Sequence, residues 1–193
     1  VNFVRDSGLP GVDGLPASVF DGAVAREQAK HDRLVASASG GTGDPAYNPY
    51  QIARELGDEM TAASTVVKTA ERLEKAITKI DELRERYAKA ELADDAGWTN
   101  QSLSFARATG DMIVLAEAIL KAGLLRRESR GAHYRSDFPD RDDVNFYKTS
   151  IARYNTDTGA SEITFVPVRA PLVKPRARTY GKTDSPKPPG SHR

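Results

Sequence analysis

A short polar segment in the last third of the chain concentrates the side chains that could do chemistry. It runs from position 127 to position 143 and carries both signs of charge. The candidate site residues within it are Glu128, Ser129, Arg130, His133, Arg135 and Asp137. Histidine can act as a general acid or base when a carboxylate orients it, and arginines can hold a substrate carboxylate. The spacing singles out no nucleophile and no oxyanion-binding group, so a catalytic centre remains the weaker hypothesis.

The same residue types favour a structural interpretation of this segment. Charges of both signs that leave a buried helix together commonly form a local network of ion pairs and hydrogen bonds. Gly131 adds a position where the backbone can adopt angles that other residues resist. We therefore predict that the six candidate residues form a network that holds a chain reversal and docks it onto another domain.

The sequence predicts no metal site. His133 has acidic neighbours but no second histidine at ligand spacing. The aspartates that follow it lack the glycine and the terminal glutamate of an EF-hand loop. The chain contains no cysteine, which excludes disulfides, thiolate zinc sites, iron–sulfur ligation and a cysteine nucleophile within these 193 residues.

Composition narrows the class of protein further. Lysine and arginine number 28 against 27 acidic residues, a net charge of +1, which does not predict nucleic-acid binding. No apolar run approaches the roughly 20 residues that span a bilayer. The run 40–43 is rich in glycine but lacks the Lys-Ser/Thr ending of a phosphate loop, so we interpret 37–44 as a flexible surface loop.

Helical periodicity predicts three helices that could position the polar segment. The first begins with Asn48 as N-cap and Pro49 at its first position. Its apolar face consists of Ile52, Leu56, Met60 and Ala63. The second runs from 65 to about 90 on a narrow stripe. That stripe consists of Val66, Ala70, Leu73, Ile77, Ile80 and Tyr87, with Leu83 beside it.

The third predicted helix, from 101 to 125, has a broad apolar face and should be the most buried. Its predicted core positions are Leu103, Ala106, Ile113, Ala116, Ile119, Leu120 and Gly123. Short connections between the three helices indicate an antiparallel bundle. We expect Trp98, in the break before the third helix, to seal one end of that bundle.

The flanking regions complete the predicted organisation. Residues 1–47 are predicted to be a linker with a short helix over 24–35, and 48–127 to be the bundle. Residues 128–181 combine the polar segment with a β-hairpin, whose strands 147–154 and 163–169 flank a turn at 156–159. An extended basic tail follows, disordered over 182–193. The predicted fold class is mainly α, an antiparallel three-helix bundle followed by a small β-hairpin and an extended basic tail.

The order of motifs along the chain resembles one family. The run from Glu128 to Asp143 closely resembles a signature of succinate dehydrogenase and fumarate reductase flavoprotein subunits. Shorter matches are Trp98-Thr99-Asn100-Gln101, Arg86-Tyr87, and Leu172-Val173-Lys174-Pro175-Arg176 with Arg178 and Tyr180. The resemblance covers roughly residues 48 to 181.

The resemblance implies a part of a larger respiratory flavoenzyme. In the family this region is a three-helix bundle packed against a large flavin-binding domain, and the enzyme interconverts succinate and fumarate. Electrons pass through covalently held FAD to an iron–sulfur subunit and then to quinone, with membrane anchor subunits as indirect partners. The expected location is the cytoplasmic face of the inner membrane, peripheral through partner subunits.

The resemblance also implies that the reaction's own residues lie elsewhere. The family's dinucleotide-binding glycines, flavin-linked histidine and substrate-binding residues precede this region. We therefore expect a fragment with no catalytic residue, no cofactor-binding residue and no metal ligand, its FAD held by an N-terminal domain outside the chain. Two alternatives remain: a fragment of L-aspartate oxidase, which has a similar Ser-Arg-Gly-x-His segment, and a freestanding helical interaction module.

Overall fold

The computed structural model describes residues 15–16 and 18–172 and consists mainly of helices. The four α-helices are α1 Ser18–Ser37, α2 Pro49–Ser64, α3 Ala70–Ala88 and α4 Gln101–Leu125. The strands are β1 Val67–Lys68, β2 Tyr134–Arg135, β3 Lys148–Asn155 and β4 Ala160–Pro167, and a 3-10 turn spans Pro45–Tyr47. The predicted mainly α architecture with a small hairpin is confirmed.

Side-chain caps set where the three bundle helices begin. Asn48 accepts a hydrogen bond from the backbone N–H of Tyr50 at 2.8 Å, with Pro49 at the first helical position as predicted. Asn100 caps α4 in the same way through the Leu103 N–H, also at 2.8 Å. These caps satisfy amide groups that have no partner inside the helix, so each start is fixed by the sequence next to it.

The core lies between α2, α3 and α4. Its buried side chains are Ile52, Leu56, Ala63, Leu73, Ala76, Ile80, Leu83, Ile113, Ala116 and Leu120. Gly110 of α4 leaves room for the Tyr87 side chain of α3, because a Cβ at this position would lie 2.6 Å from the Tyr87 hydroxyl. Most of the predicted apolar faces therefore meet in one cluster.

Two predicted core positions are wrong. Val66 is 72% exposed because the chain leaves the helical path there and forms β1 before α3 begins. Ile119 is 52% exposed because α4 turns this side chain to the outer surface, while its neighbour Leu120 is buried. In α3, Leu83 lies fully in the core rather than beside it.

The described residues before the bundle, 15–16 and 18–47, are more ordered than predicted. The short helix expected over 24–35 extends over all of α1, and Leu34 packs with Ala90, Leu92 and Ala106 in a second small core. The Thr42 hydroxyl and the Gly43 N–H donate to the Glu91 carboxylate at 3.0 and 2.9 Å. The glycine-rich run is therefore held against the bundle and is not a free linker.

Trp98 does not seal the bundle. Its side chain is 86% exposed, on the loop between α3 and α4, so the prediction that it lies in the core is wrong.

Two small sheets complete the structure. Strand β1 pairs in parallel with β2, joining Val67 to Tyr134 and Lys68 to Arg135. The predicted hairpin is confirmed as β3 and β4, antiparallel from Lys148 opposite Pro167 to Asn155 opposite Ala160. Of the predicted linker over 1–47, residues 1–14 and 17 lie outside the described residues, as does the predicted basic tail beyond 172. Within the described part, no helix has the length and apolarity required to cross a bilayer.

Candidate functional site

The polar segment folds directly behind the C-terminus of α4 and brings all six predicted residues together. At its centre, Glu128 is fully buried. Arg130 donates to both its carboxylate oxygens, from Nε at 2.8 Å and from Nη2 at 2.9 Å. The Asp142 N–H and Arg126 Nη1 also donate to the Glu128 carboxylate, at 2.9 and 2.6 Å. A buried carboxylate with four donors is compensated in charge and in hydrogen bonding.

A second forked ion pair joins the ends of two helices. Arg135, also fully buried, donates from Nε and Nη2 to the two oxygens of Asp137 at 2.8 and 2.7 Å. Its Nη1 donates to the carbonyls of Gly123 and Leu124 at the end of α4, at 2.7 and 3.1 Å. Asp137 in turn accepts the Ala70 N–H at the start of α3, at 2.8 Å. One ion pair therefore satisfies unpaired groups at both helix ends.

Ser129 and a tight turn hold the segment in this shape. The Ser129 hydroxyl accepts the Arg135 N–H at 2.9 Å and donates to the Phe138 carbonyl at 2.9 Å. Arg130 and His133 exchange backbone hydrogen bonds of 2.8 and 3.0 Å across Gly131, whose φ is +58°. Glycine adopts this left-handed angle without the steric cost that a side chain brings.

His133 lies in a setting that suits a neutral imidazole. Burial is the main effect that lowers its pKa, and the positive charges of Lys68, Arg135 and Arg126 lower it further. Its Nε2 lies 3.2 Å from the Arg126 carbonyl oxygen, which can only accept, so Nε2 carries the proton. The catalytic hypothesis required Glu128 or Asp137 to orient this ring, but both carboxylates are occupied by arginines.

Sequence reasoning missed Arg126 as a member of this network. Its guanidinium binds Glu128 and also donates to the carbonyl of Lys148 at 2.6 Å and that of Phe146 at 3.1 Å. It lies against the rings of Phe146 and Phe165. Arg126 therefore connects the polar segment to the hairpin, and its place at the C-cap of α4 was the available signal.

A second buried acid, Glu117 on α4, was also missed. It is paired with Lys121 at 2.6 Å and with Arg84 of α3 at 3.1 Å, and it accepts the Ser161 N–H of β4 at 3.1 Å. Burial alone would raise the pKa of Glu117, but these three partners hold it below its usual value. An acid within the most apolar stretch of the helix, with lysine four residues later, was the signal.

The chemistry of these residues is that of structural pairing. The Glu128 and Asp137 carboxylates accept two or more donors each, and Asp137 has its pKa lowered to about 2, chiefly by Arg135. In the described residues, no group of three or more acidic or histidine side chains could hold a metal ion. The Ala70 and Arg72 amides at the start of α3, which follows β1, are already bound by Asp137 and Thr69 and so are not free to bind a phosphate group.

Comparisons with known proteins extend over most of the chain. A family model described as Fumarate reductase flavoprotein C-term matches residues 53–180. The succinate dehydrogenase flavoprotein subunit of Bacillus subtilis (strain 168) is 36% identical over 170 residues, which is 88% of this chain and 28% of the relative. The fumarate reductase flavoprotein subunit of Haemophilus influenzae is 34% identical, over 68% of this chain and 22% of the relative.

Solved structures agree with these relatives. Quinol fumarate reductase from E. coli superposes with a TM-score of 0.76 at 28% identity, over 92% of this chain and 29% of that chain. The Mycobacterium smegmatis Sdh1 complex shares the fold, with a TM-score of 0.68 at 24% identity. The chain thus spans less than a third of the length of each of these four proteins.

Proposed function

The chain belongs to the family of succinate dehydrogenase and fumarate reductase flavoprotein subunits, an oxidoreductase family, and from this we propose that it acts as the supporting helical domain of such a subunit. In this role the domain supports FAD-dependent interconversion of succinate and fumarate without containing the flavin site. Electrons pass from the flavin to an iron–sulfur subunit and then to quinone.

One observation carries this proposal: the match of residues 53–180 to the C-terminal family region, in a chain that covers 28% of its Bacillus subtilis relative. The flavin and the substrate belong, in this proposal, to the part of the subunit outside the chain. The domain holds no catalytic and no cofactor-binding residue. It reaches the cytoplasmic face of the membrane only through the iron–sulfur and anchor subunits.

We assign the polar segment a docking role within this proposal. Residues 48–127 form the bundle unit, and 128–181 fix it against the flavin-binding domain. Glu128, Ser129, Arg130, His133, Arg135 and Asp137 are the network that does so. The support for this role is their position, because the Arg130 and Asp137 side chains, each 28% exposed, lie at the outer edge of a network whose Glu128 and Arg135 are fully buried.

The relatives favour this proposal over its alternatives. Both curated relatives carry succinate dehydrogenase or fumarate reductase names, which argues against L-aspartate oxidase. Membership of a family of much longer chains argues against a freestanding interaction module.

The test compares the 193-residue chain with a complete subunit that contains it. We expect the chain alone to bind no FAD and oxidise no succinate, and the complete subunit to bind FAD and interconvert succinate and fumarate. Flavin absorbance and dye-coupled succinate oxidation are the measurements. Covalent flavin on the short chain, or oxidation of L-aspartate by the complete subunit, would contradict the proposal.

A further inference from the structure

A cavity of about 690 Å³ lies where helices α1, α3 and α4 meet the end of the hairpin. Its wall is mainly apolar. Ile113, Val114 and Leu115 of α4 form one side, and Tyr87 of α3 and Tyr154 of β3 also line it. A concave, mainly apolar wall that carries a few polar groups is the usual form of a small-molecule site.

The charged groups at this cavity leave an excess of positive charge. Its two acidic residues are already paired, Glu27 with Arg107 at 2.9 Å. The other acid, Asp111, is paired with Lys30 at 3.1 Å. Arg26 also lines the cavity, and no acidic side chain in the described part of the chain forms an ion pair with it. A bound molecule would therefore meet an uncompensated guanidinium, which favours an anion such as a carboxylate.

Two residues of the cavity wall carry a buried polar atom that makes no hydrogen bond to any described residue. These atoms are the Tyr87 hydroxyl oxygen and Arg84 Nη2. Arg84 Nη2 lies 3.1 Å from the Glu117 carboxylate, so its charge is compensated although it makes no hydrogen bond. Burial raises the pKa of Tyr87, so its hydroxyl keeps its proton and can donate. Buried donors without a partner are uncommon, and both of these would be satisfied by an acceptor.

Helix α1 forms the outer side of the cavity and is held there mainly at one end. Leu34, near its C-terminus, is buried in the second small core. The part beside the cavity is joined to α4 by the surface ion pairs of Glu27 and Lys30, and exposed ion pairs stabilise a contact only weakly. The charges of Lys30 and Arg33 act on the Tyr87 hydroxyl, so α1 lies close to it. A small outward movement of α1 would therefore open this hydroxyl to a bound molecule.

We propose that this cavity binds a small aromatic carboxylate. The rings of the ligand lie against the apolar side chains of α4 and the ring of Tyr154, and its carboxylate accepts hydrogen bonds from Arg26 and the Tyr87 hydroxyl. The cavity volume lies within the range of small-molecule sites and is sufficient for a molecule of two rings. Binding here does not depend on the proposed function, because no residue of the polar segment lines the cavity.

Two photoprobes that share the same pair of rings test the site. One, 4-benzoylbenzoate, carries a carboxylate, and the other, benzophenone, does not. Each is irradiated with the complete subunit that contains this chain, and with the 193-residue chain, over a range of probe concentrations. Peptide mass spectrometry shows where the probe is attached. Tyr87→Phe and Arg26→Gln remove the two proposed donors.

The matched controls change the same residue types outside the cavity. Tyr50→Phe alters a tyrosine that is 49% exposed, and Arg127→Gln alters an exposed arginine. Circular dichroism of the four variants shows that each is folded before its labelling is compared with that of the unmodified subunit.

We expect 4-benzoylbenzoate to attach saturably to the complete subunit within residues 110–115 or 154–159. Benzophenone should need a concentration about tenfold higher, because it lacks the charged acceptor that the donors bind. Tyr87→Phe and Arg26→Gln should each raise the half-saturating concentration of 4-benzoylbenzoate about threefold to tenfold, since each removes one hydrogen bond. Both control variants should leave that concentration unchanged.

Three outcomes would overturn the proposal. Attachment of both probes at the same concentrations, or attachment that does not saturate, would show an apolar surface with no preference for a carboxylate. An unchanged half-saturating concentration in both Tyr87→Phe and Arg26→Gln would show that the assigned donors do not bind the ligand. Attachment to the 193-residue chain but not to the complete subunit would mean that another part of the subunit covers the cavity.

Discussion

Arg135 shows how a single side chain can fix two helices and a loop. Its guanidinium is fully buried. One nitrogen donates to the last carbonyls of α4, and the other two donate to Asp137. Asp137 in turn accepts a hydrogen bond from the first amide of α3. Lysine could not replace it, because an ammonium lacks the planar fork that reaches both sets of acceptors.

We expect Arg135→Ala to destabilise the chain by about 3–5 kcal/mol, because it leaves Asp137 and the α4 carbonyls without their buried partner. Urea unfolding followed by circular dichroism measures the change in the free energy of unfolding. Arg127→Ala, at an exposed arginine of the same segment, should change it by less than about 0.5 kcal/mol. Similar changes in the free energy of unfolding for the two variants would show that the Arg135–Asp137 ion pair does not stabilise the fold.

Acid should weaken the fold through the same carboxylates. Arg135 is the main cause that lowers the pKa of Asp137 to about 2, and Arg86 does the same for Glu55. A carboxyl group whose pKa is lower in the folded protein than in the unfolded chain stabilises the folded state. This contribution is fully present above the unfolded pKa of about 4 and is lost as the pH falls through the folded pKa. Stability should therefore decline from about pH 5 to about pH 2.

Urea midpoints across that pH range measure the decline. Asp137→Asn should make it shallower, because the variant no longer binds a proton there on unfolding. Asp157→Asn, in the exposed hairpin turn, is the control and should keep the original slope. An unchanged slope for Asp137→Asn would exclude this carboxylate as a source of the acid sensitivity.

At the scale of elements, α4 illustrates what periodicity can and cannot predict. Its limits, Gln101 to Leu125, agree with the sequence because a cap and an apolar run both mark them. Its buried face was predicted one position too wide at Ile119, because the helix is apolar nearly all round. An apolar pattern indicates which side chains favour burial. Which of them are buried depends on neighbouring elements, and the pattern of one helix does not show those neighbours.

The two isoleucines of α4 give a direct test of this orientation. Ile113 is buried, so Ile113→Ala should cost about 2–5 kcal/mol through lost contacts and a residual cavity. Ile119→Ala in the 193-residue chain should cost less than about 1 kcal/mol, because the side chain is already largely in water. Thermal unfolding of both variants decides the point, and a larger loss for Ile119→Ala would mean that the helix is rotated from its described orientation.

Other elements differ from prediction for physical reasons of the same kind. The short strand β1 exists because β2, some 65 residues later, pairs with it, and no local pattern reveals such a partner. The glycine-rich run is held by Glu91, a contact across 48 residues. Within the polar segment the charges and the glycine lie close together in sequence, so a local network could be predicted, whereas the contact of Asp137 with the Ala70 N–H, 67 residues away, could not.

At the scale of the whole molecule, the polar segment connects units that the sequence presents separately. Arg126 joins it to the hairpin, Asp137 joins it to α3, and Glu117 joins α4 to β4. The side chains of Arg130 and Asp137, each 28% exposed, are the parts of the network that reach the surface. The bundle, the polar segment and the hairpin are thus held together by charged groups around an apolar core.

The last prediction asks whether this connection is structural or catalytic in the complete subunit. We expect Arg130→Ala and His133→Ala to lower assembly, flavin occupancy or thermal stability first. Arg130→Ala removes two of the four donors to the buried Glu128, and His133→Ala removes a ring packed at the end of α4. Turnover per bound flavin should stay close to that of the unmodified subunit. Flavin occupancy and turnover are measured on the same preparations, with Arg127→Ala as the control. A catalytic role predicts the reverse, full occupancy with turnover per flavin reduced by orders of magnitude, because a group that acts in the transition state affects rate without affecting assembly.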